Sequence, residues 1–402
     1  MLKYIKLVLL LSFPLLFSGS LRSPDSFRVV EILDTNYLSI PGRFMYQAEL
    51  FSCKEGYIAI ETQARQVFLF SKNFTLQFAF ETSDKRMTNL TLRNVLKYSF
   101  SSRSSFNQTE LLLGVRGFIE LPDGYGIQTG SNLFVFSKQG FFRYRHRFHL
   151  KWDNHSYHNH PVSFIYYSSA QQIIGSYIFR SGLLIEHIKR KPELFKTEPL
   201  LAVFDYPLKR NNRIKYVLGN YDSAYHANTD LIYNLRTSFY FNDNKSELYI
   251  SQQAKPSVKV LSLAGNPVLT FGEAGRHINT SVFATSQDLN HYSGDLEYNY
   301  YWRSNHYGSP YLNSETGDFY RLYWRGIDSA EVSAGKQIKE TYLQIYNKDH
   351  ELICDQKINP SRKILKQEGD TLYVFGGFLP DNKRDGFYRN TIYKYLIRTA
   401  GK

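Results

Sequence analysis

The chain has 402 residues, a formal net charge of +13, and 32 Tyr and 30 Phe against only 3 Met and 2 Cys. That length suits two or three ordinary domains or one large β domain, and the aromatic bias favours strands over helices. Two cysteines cannot build a disulfide framework. The basic residues are scattered, with Lys189-Arg190-Lys191 the densest run, so the charge reads as a solubility property and no nucleic-acid partner is expected.

Residues Met1 to Ser20 carry Lys3 and Lys6, then the apolar run Leu7 to Phe17, then Ser18-Gly19-Ser20. A basic start, an apolar run and small residues make the pattern of a secretory signal, and the run is too short for an ordinary transmembrane helix. Residues 1–20 are read as a signal peptide cleaved near Ser20, and residues 21–402 as a single exported domain. Phe17-Ser18-Gly19-Ser20 has the shape of a bacterial lipobox with Ser where the lipidated Cys would stand. No lipid can be attached there, and no later segment is long and apolar enough to span a bilayer.

Phe27 to Leu33 reads as a strand with no earlier partner. After it one unit recurs: an apolar strand, a tight polar turn and a second strand. The last strand residue before the turn is Phe70 after Val67-Phe68-Leu69, Phe136 after Leu133-Phe134-Val135, and Phe204 after Leu201-Ala202-Val203. It is Leu261 after Val258-Lys259-Val260 and Tyr346 after Leu343-Gln344-Ile345. A spacing of about sixty to seventy residues, with one longer step, points to a repeated module. Each interval accommodates four short strands, and four-stranded modules set radially are the blades of a propeller. Blades stack face to face, which explains why Val67 to Phe70 and Leu133 to Phe136 are apolar at every position instead of alternating. A β-sandwich of unrelated hairpins is the competing architecture.

Between these units, Thr82 to Gln108 reads as a polar surface insertion, Asp153 to His160 as a polar loop, and Gly294 to Ser314 as a long ordered loop rich in Tyr, Asn and Gly. Thr371 to Phe375 and Thr391 to Ile397 are strands without a complete blade of their own. Joined to Phe27–Leu33 they complete a sixth blade and remove the open edges. The predicted fold is all-β: a six-bladed β-propeller whose last blade is closed by N- and C-terminal strands. On that map Cys53 falls in the first blade and Cys354 at the outer edge of the fifth, so both are expected to be unpaired.

Three stretches carry a family resemblance: Glu198-Pro199-Leu200-Leu201-Ala202-Val203-Phe204-Asp205 leading to Tyr216-Val217-Leu218, Gly317-Asp318-Phe319-Tyr320-Arg321-Leu322-Tyr323-Trp324-Arg325, and Leu343 to Ile353. With the blades so placed, the sequence resembles TolB-like six-bladed propellers. More narrowly, it is similar to an uncharacterised family of Gram-negative envelope proteins known as domain of unknown function 4221. The resemblance implies a location in the periplasm or cell envelope. Its members are often lipoproteins, and Ser20 departs from that pattern. It supplies no activity and no catalytic residues to carry over.

The candidate chemistry is sparse. Asp153-Asn154-His155-Ser156-Tyr157-His158-Asn159-His160, with His146 and His149 before it, could bring imidazoles onto one metal. No carboxylate or Cys completes a recognisable spacing, so a solvated loop is expected, without a metal or cofactor. His350-Glu351-Leu352-Ile353-Cys354 starts like a zinc-protease motif, but it lies in a strand, where residues four apart do not share a site as they do on a helix. Gly272-Glu273-Ala274-Gly275 lacks the Lys-Ser/Thr of a phosphate loop and reads as a turn between blades. The better lead is aromatic and basic: Tyr298, Tyr300, Tyr301, Trp302 and Arg303, followed by His306, Tyr307 and Tyr311. Exposed Trp and Tyr faces stack on sugars or anchor a protein, and Arg adds a directed donor. By contrast, Phe319, Arg321, Tyr323 and Arg325 share one strand face, where an aromatic–Arg stack is structural. The expectation is a monomeric, non-enzymatic scaffold that binds a protein or glycan partner at one mouth of the ring. The alternative is a glycan-active lyase or hydrolase using acids or His in the central channel.

Overall fold

The computed structural model describes residues 28–38, 48–61, 66–79, 115–129, 132–147, 151–152, 155–156, 160–167, 169–178, 199–208, 214–220, 237–278, 302–328, 330–331, 334, 338–380 and 388–399. Six antiparallel sheets follow one another as blades, each strand pairing with the next in sequence. The first blade is Ala48–Cys53, Gly56–Glu61, Gln66–Ser71 and Leu76–Ala79. The second is Val115–Leu121, Gly124–Thr129, Asn132–Ser137 and Phe142–Arg147. The third is His160–Tyr167, Gln172–Ile178, Pro199–Asp205 and Tyr216–Asn220, and the fourth is Thr237–Asn242, Glu247–Gln252, Val258–Ser262 and Pro267–Phe271. In the fifth, Phe319–Trp324, Thr341–Tyr346 and Leu352–Ile358 follow an inner strand split into His306–Tyr307 and Tyr311–Leu312. The sixth is Lys363–Glu368, Thr371–Pro380 and Tyr388–Thr399, finished by Arg28–Tyr37 from the other end of the chain. From the first blade to the fifth the first strands of neighbouring blades touch, and at the sixth a first strand meets its neighbour's second, so the sheets run outward from the ring axis.

The ring closes as the sequence predicts. Arg28 stands opposite Thr399 and Tyr37 opposite Thr391, with a bulge between Ile32 and Asp34. The shared strand is tied to the fifth blade as well. The Gln356 side-chain amide accepts from Val30 N at 3.0 Å and donates to Val30 O at 2.6 Å, filling both backbone groups at that point of the edge.

The strands that mark the repeat are the third strand of each of the first five blades. They are buried on both faces because blades stack on either side of them: Val67 to Phe70, Leu133 to Phe136 and Leu201 to Phe204 are buried at every position. The core is accordingly a set of layers between blades. Leu50, Phe68, Phe70, Leu365 and Phe375 fill the layer between the sixth and first, and Ile58, Leu69, Tyr125 and Phe136 the layer between the first and second. Tyr249, Phe271, Phe319 and Tyr346 fill the layer between the fourth and fifth.

Four of these third strands end in the same turn. Ser71, Ser137, Ser262 and Asn347 each accept a backbone bond three residues on, from Phe74, Gly140, Gly265 and His350. Each receives a second bond through its side chain: Ser71 and Ser137 Oγ from the residues two and four ahead, Asn347 Oδ1 likewise, and Ser262 Oγ from Asn266. The fourth residue of the turn has a positive φ in every case, 62° at Phe74, 82° at Gly140, 84° at Gly265 and 66° at His350. Short polar side chains bonding their own backbone set this geometry.

Strand alternation sorts the connections. First-to-second and third-to-fourth connections leave at one end of the sheets, as short as residues 54–55, 122–123 and 369–370. The opposite end carries the long ones, including 80–114, 179–198, 221–236, 272–305 and 325–340. We call these the turn face and the loop face. Arg28 and Thr399 both stand at the turn face.

Two expectations need revision. The stretch Gly294 to Ser314 is not one loop: its second half is the inner strand of the fifth blade, broken at Gly308 to Pro310. Proline lacks an N–H and the two paired pieces are two residues each, so no strand pattern stands out there. Within Asp153 to His160, His155–Ser156 pairs with Lys151–Trp152, and His160 begins the third blade. The signal peptide, the Thr82–Gln108 insertion, His149 and His158 lie outside the described residues.

A candidate binding lip on the fifth blade

On the loop face the fifth blade carries a built edge. Its foundation is Arg321, buried in the middle of the second strand. The guanidinium donates to Gln344 Oε1 at 2.7 Å, Tyr346 Oη at 3.1 Å, Glu273 O at 3.4 Å and the carbonyl of Pro256. It lies 4.9 Å from the Tyr307 ring centre. A buried guanidinium is tolerable only with such acceptors. Since Pro256 and Glu273 belong to the fourth blade's connections, Arg321 joins two blades. As the strand alternation implies, the aromatic–Arg stack is structural.

From Arg321 a ladder of rings climbs toward the loop face. Tyr307 and Tyr323 are 5.8 Å apart, Tyr323 and Tyr342 4.9 Å, and Tyr342 and His277 4.9 Å. Asp355 accepts from Tyr323 Oη at 2.9 Å and from Arg276 N at 2.7 Å. Burial, with the Asp355 charge, pushes the Tyr323 phenol upward, so it stays a donor. The chain leaving the fourth blade is thereby pinned at Arg276 and His277.

The same connection is pinned again where it returns. Ile327 N donates to Trp302 O at 2.9 Å, Gly326 N donates to Asn305 Oδ1 at 2.9 Å, and Lys339 Nζ donates to Ser304 O at 2.6 Å. Gly326 is required, because a Cβ there would run into the Arg303 carbonyl. Lys339 Nζ also lies 3.3 Å from His306 Nδ1. Burial pulls the Lys339 ammonium down to about 7.

An ion network flanks these contacts. Glu340 pairs with Lys357 at 2.6 Å and Arg325 at 3.0 Å, and Arg325 reaches Glu331 at 3.6 Å. Lys357, against burial, and with Tyr342 and Arg325, holds the Glu340 carboxyl below its ordinary value. Such half-exposed pairs are worth at most about 1 kcal/mol each, so their effect is to fix the edge's shape. Beside them opens an apolar recess of about 390 Å³ lined by Ile338, Lys339, Thr341, Ile358 and Pro360.

The sequence-predicted residues fall unevenly on this edge. Trp302 and Arg303 stand on it, half-buried. His306 is buried beside Lys339, in the inner strand rather than in a loop. Tyr307 and Tyr311 are also inner-strand residues; the Tyr311 hydroxyl accepts from Gln367 N of the sixth blade. Tyr298, Tyr300 and Tyr301 lie outside the described residues. Lys339 and Glu340 escaped the sequence reading, because isolated charges around a strand start carry no pattern, and Arg325 entered it only as a strand-face residue.

Other candidates resolve into structure. His350 takes the left-handed turn position and packs between Phe271 and Phe319, at 4.5 and 5.1 Å. Burial, with Lys245, lowers its pKa. Two carboxylates do meet on the turn face, Glu55 and Glu120, but they flank Lys138 at 3.3 and 2.8 Å. Burial opposes ionisation of Glu55, yet its own backbone and Lys138 outweigh it and keep its pKa low. Among the described residues no three His, Cys, Asp or Glu side chains converge as a metal site. Cys53 and Cys354 are free thiols. Among the described residues no helix is long and apolar enough to cross a membrane.

The sequence matches no protein-family model and no curated protein. The fold matches solved structures over nearly its whole length. A member of the DUF4221 family from Bacteroides vulgatus superposes with a TM-score of 0.63 at 13% identity, covering 94% of this chain and 100% of that one. A putative exported protein from Bacteroides fragilis superposes with a TM-score of 0.50 at 10% identity, covering 93% of this chain and 96% of that one. At such identities the likeness is one of fold, and it agrees with the six-bladed ring and the family resemblance read from the sequence.

Proposed function

We propose that this protein is an exported, non-catalytic scaffold that binds a protein or glycan partner at the loop face of its ring, with Trp302 and Arg303 among the contact residues. The observation that carries this reading is the double clamping of the connection between the fourth and fifth blades. Arg276 and His277 hold its start and Trp302 to Ser304 its return, all on one rigid blade. Recognition surfaces are commonly connections held on a rigid scaffold, and a half-buried Trp beside an Arg is the composition of a binding hot spot. Export is supported by the basic-apolar-small start of the sequence and by the likeness to a Bacteroides fragilis protein described as exported.

The test is capture by the immobilised protein from an envelope extract and from a glycan array, wild type against the double change Trp302→Ala and Arg303→Ala. Retained partners should be lost on the variant while its circular dichroism stays that of the wild type. Equal retention would remove this lip as the binding surface.

A further inference from the structure

A second constellation lies in the wall of the channel, on different blades from the lip. Ala48 and Leu50 pack toward the sixth blade, whereas Phe51, next along the strand, packs toward the second, its ring 5.7 Å from Phe118. Strand alternation puts Glu49 on the same side as Phe51. Nevertheless Lys363, the first residue of the sixth blade's inner strand, places its Nζ 4.4 Å from the Phe51 ring centre. Arg362 comes within 3.6 Å of Glu49. Both basic side chains therefore reach round strand Ala48–Cys53, the first strand of its blade, and set their charges at the inner rim of the ring near the loop face.

Lys363 there has a ring against it and no hydrogen-bond acceptor or ion pair among the described residues. Burial draws its ammonium down to about 8, Glu49 opposing and Arg362 adding to the effect. Holding a part-buried cation without a hydrogen-bonded partner costs stability, and charges so placed cluster at functional sites. Arg321 shows the contrast: also against aromatic rings, it is supplied with acceptors from four residues.

We propose that the channel wall where the sixth, first and second blades meet binds a carboxylate-bearing ligand, anchored by Lys363 with Arg362 and Glu49 beside it. The charges choose the class. Two cations and one carboxylate leave a single positive charge, which suits a monoanion, and Glu49 repels a dianion such as phosphate. The Glu49 carboxylate also accepts hydrogen bonds, which favours a carboxylate on a hydroxylated frame, as in an acidic sugar. This site does not depend on the Trp302 lip.

Sodium glucuronate titrated into the full chain at pH 7, followed by calorimetry, tests the proposal. Saturable binding is expected, weakened at least about tenfold by Lys363→Met, the loss of one charge-assisted hydrogen bond, and retained by Lys363→Arg. Arg362→Gln, a change at an exposed position, should weaken binding comparably by leaving Glu49 uncompensated, which keeps the test decisive even if Lys363→Met does not fold. Acetate should bind more weakly and glucose not at all, and Trp302→Ala should change nothing. The proposal fails if glucuronate does not saturate, if Lys363→Met binds it equally well, if glucose competes as strongly, or if phosphate binds and glucuronate does not.

Discussion

Arg321, fully buried, and Lys363, part-buried, show how much depends on the partners of one cation. Both sit against aromatic rings, but only Arg321 meets backbone and amide oxygens. That difference predicts opposite signs on substitution. Removing Arg321 strands several acceptors, whereas removing Lys363 relieves a desolvated charge. Lys363→Met should therefore unfold at a higher temperature than the wild type at pH 7. The pH dependence follows from a folded value of about 8 against an ordinary 10.5. Below about 8 the lysine is protonated in both states and the penalty is complete. Between about 8 and 10.5 the unfolded chain holds the extra proton, so wild-type stability recovers and the variant's advantage shrinks. Thermal unfolding of both proteins across that range checks it; a gain independent of pH would assign the effect to packing instead. The Arg321 stack was legible in the sequence because its neighbours alternate on one strand. Lys363 was not, because Phe51 and Glu49 come to it from the far end of the chain, joined only when the ring closes.

Among the elements, the recurring turn after the third strands explains both what the sequence disclosed and what it hid. An apolar strand followed by a short polar turn is a local signal, and it marked five blades, four of them with Ser or Asn opening the turn. The left-handed position inside that turn accepts Gly140 and Gly265 without strain, and Phe74 and His350 at some cost. The rings at the latter two repay it by packing: Phe74 lies 4.8 Å from Tyr57, and His350 sits between Phe271 and Phe319. Gly265→Ala gains no such contact and should lower stability by about 1 kcal/mol, read as an earlier midpoint in urea unfolding; no shift would mean the turn is not held in this form. The inner strand of the fifth blade was illegible for the converse reason. Gly308 to Pro310 interrupts it, and its pairing is supplied by Phe319–Trp324, not by its own pattern. The lip was legible only as an aromatic-rich stretch; the clamps that fix it come from Gly326 and Lys339 in the 325–340 connection and from Asp355 in the blade's last strand.

At the level of the whole molecule, the ring's stability rests on a closure made by two distant segments. Arg28–Tyr37 covers the edge of Tyr388–Thr399, and Gln356 fastens it to the neighbouring blade. A chain lacking residues through Tyr37 would expose that edge as a template for pairing with other chains. It should melt at a lower temperature and form higher-order species in size-exclusion chromatography. An unchanged melting temperature and a single peak would mean that the other blades suffice. Neighbouring blades are further cross-tied at the turn face, by Lys138 between Glu55 and Glu120 and by Asp123 between Arg143 and Tyr206.

The pairing of Arg28 with Thr399 also decides how the molecule presents itself. A leash that leaves the ring at Arg28 or at Thr399 holds it by its underside, so that the lip and Lys363 look outward, away from whatever holds it. Attached to a bead or a bilayer in this way, the protein is a cup held by its base with its rim free.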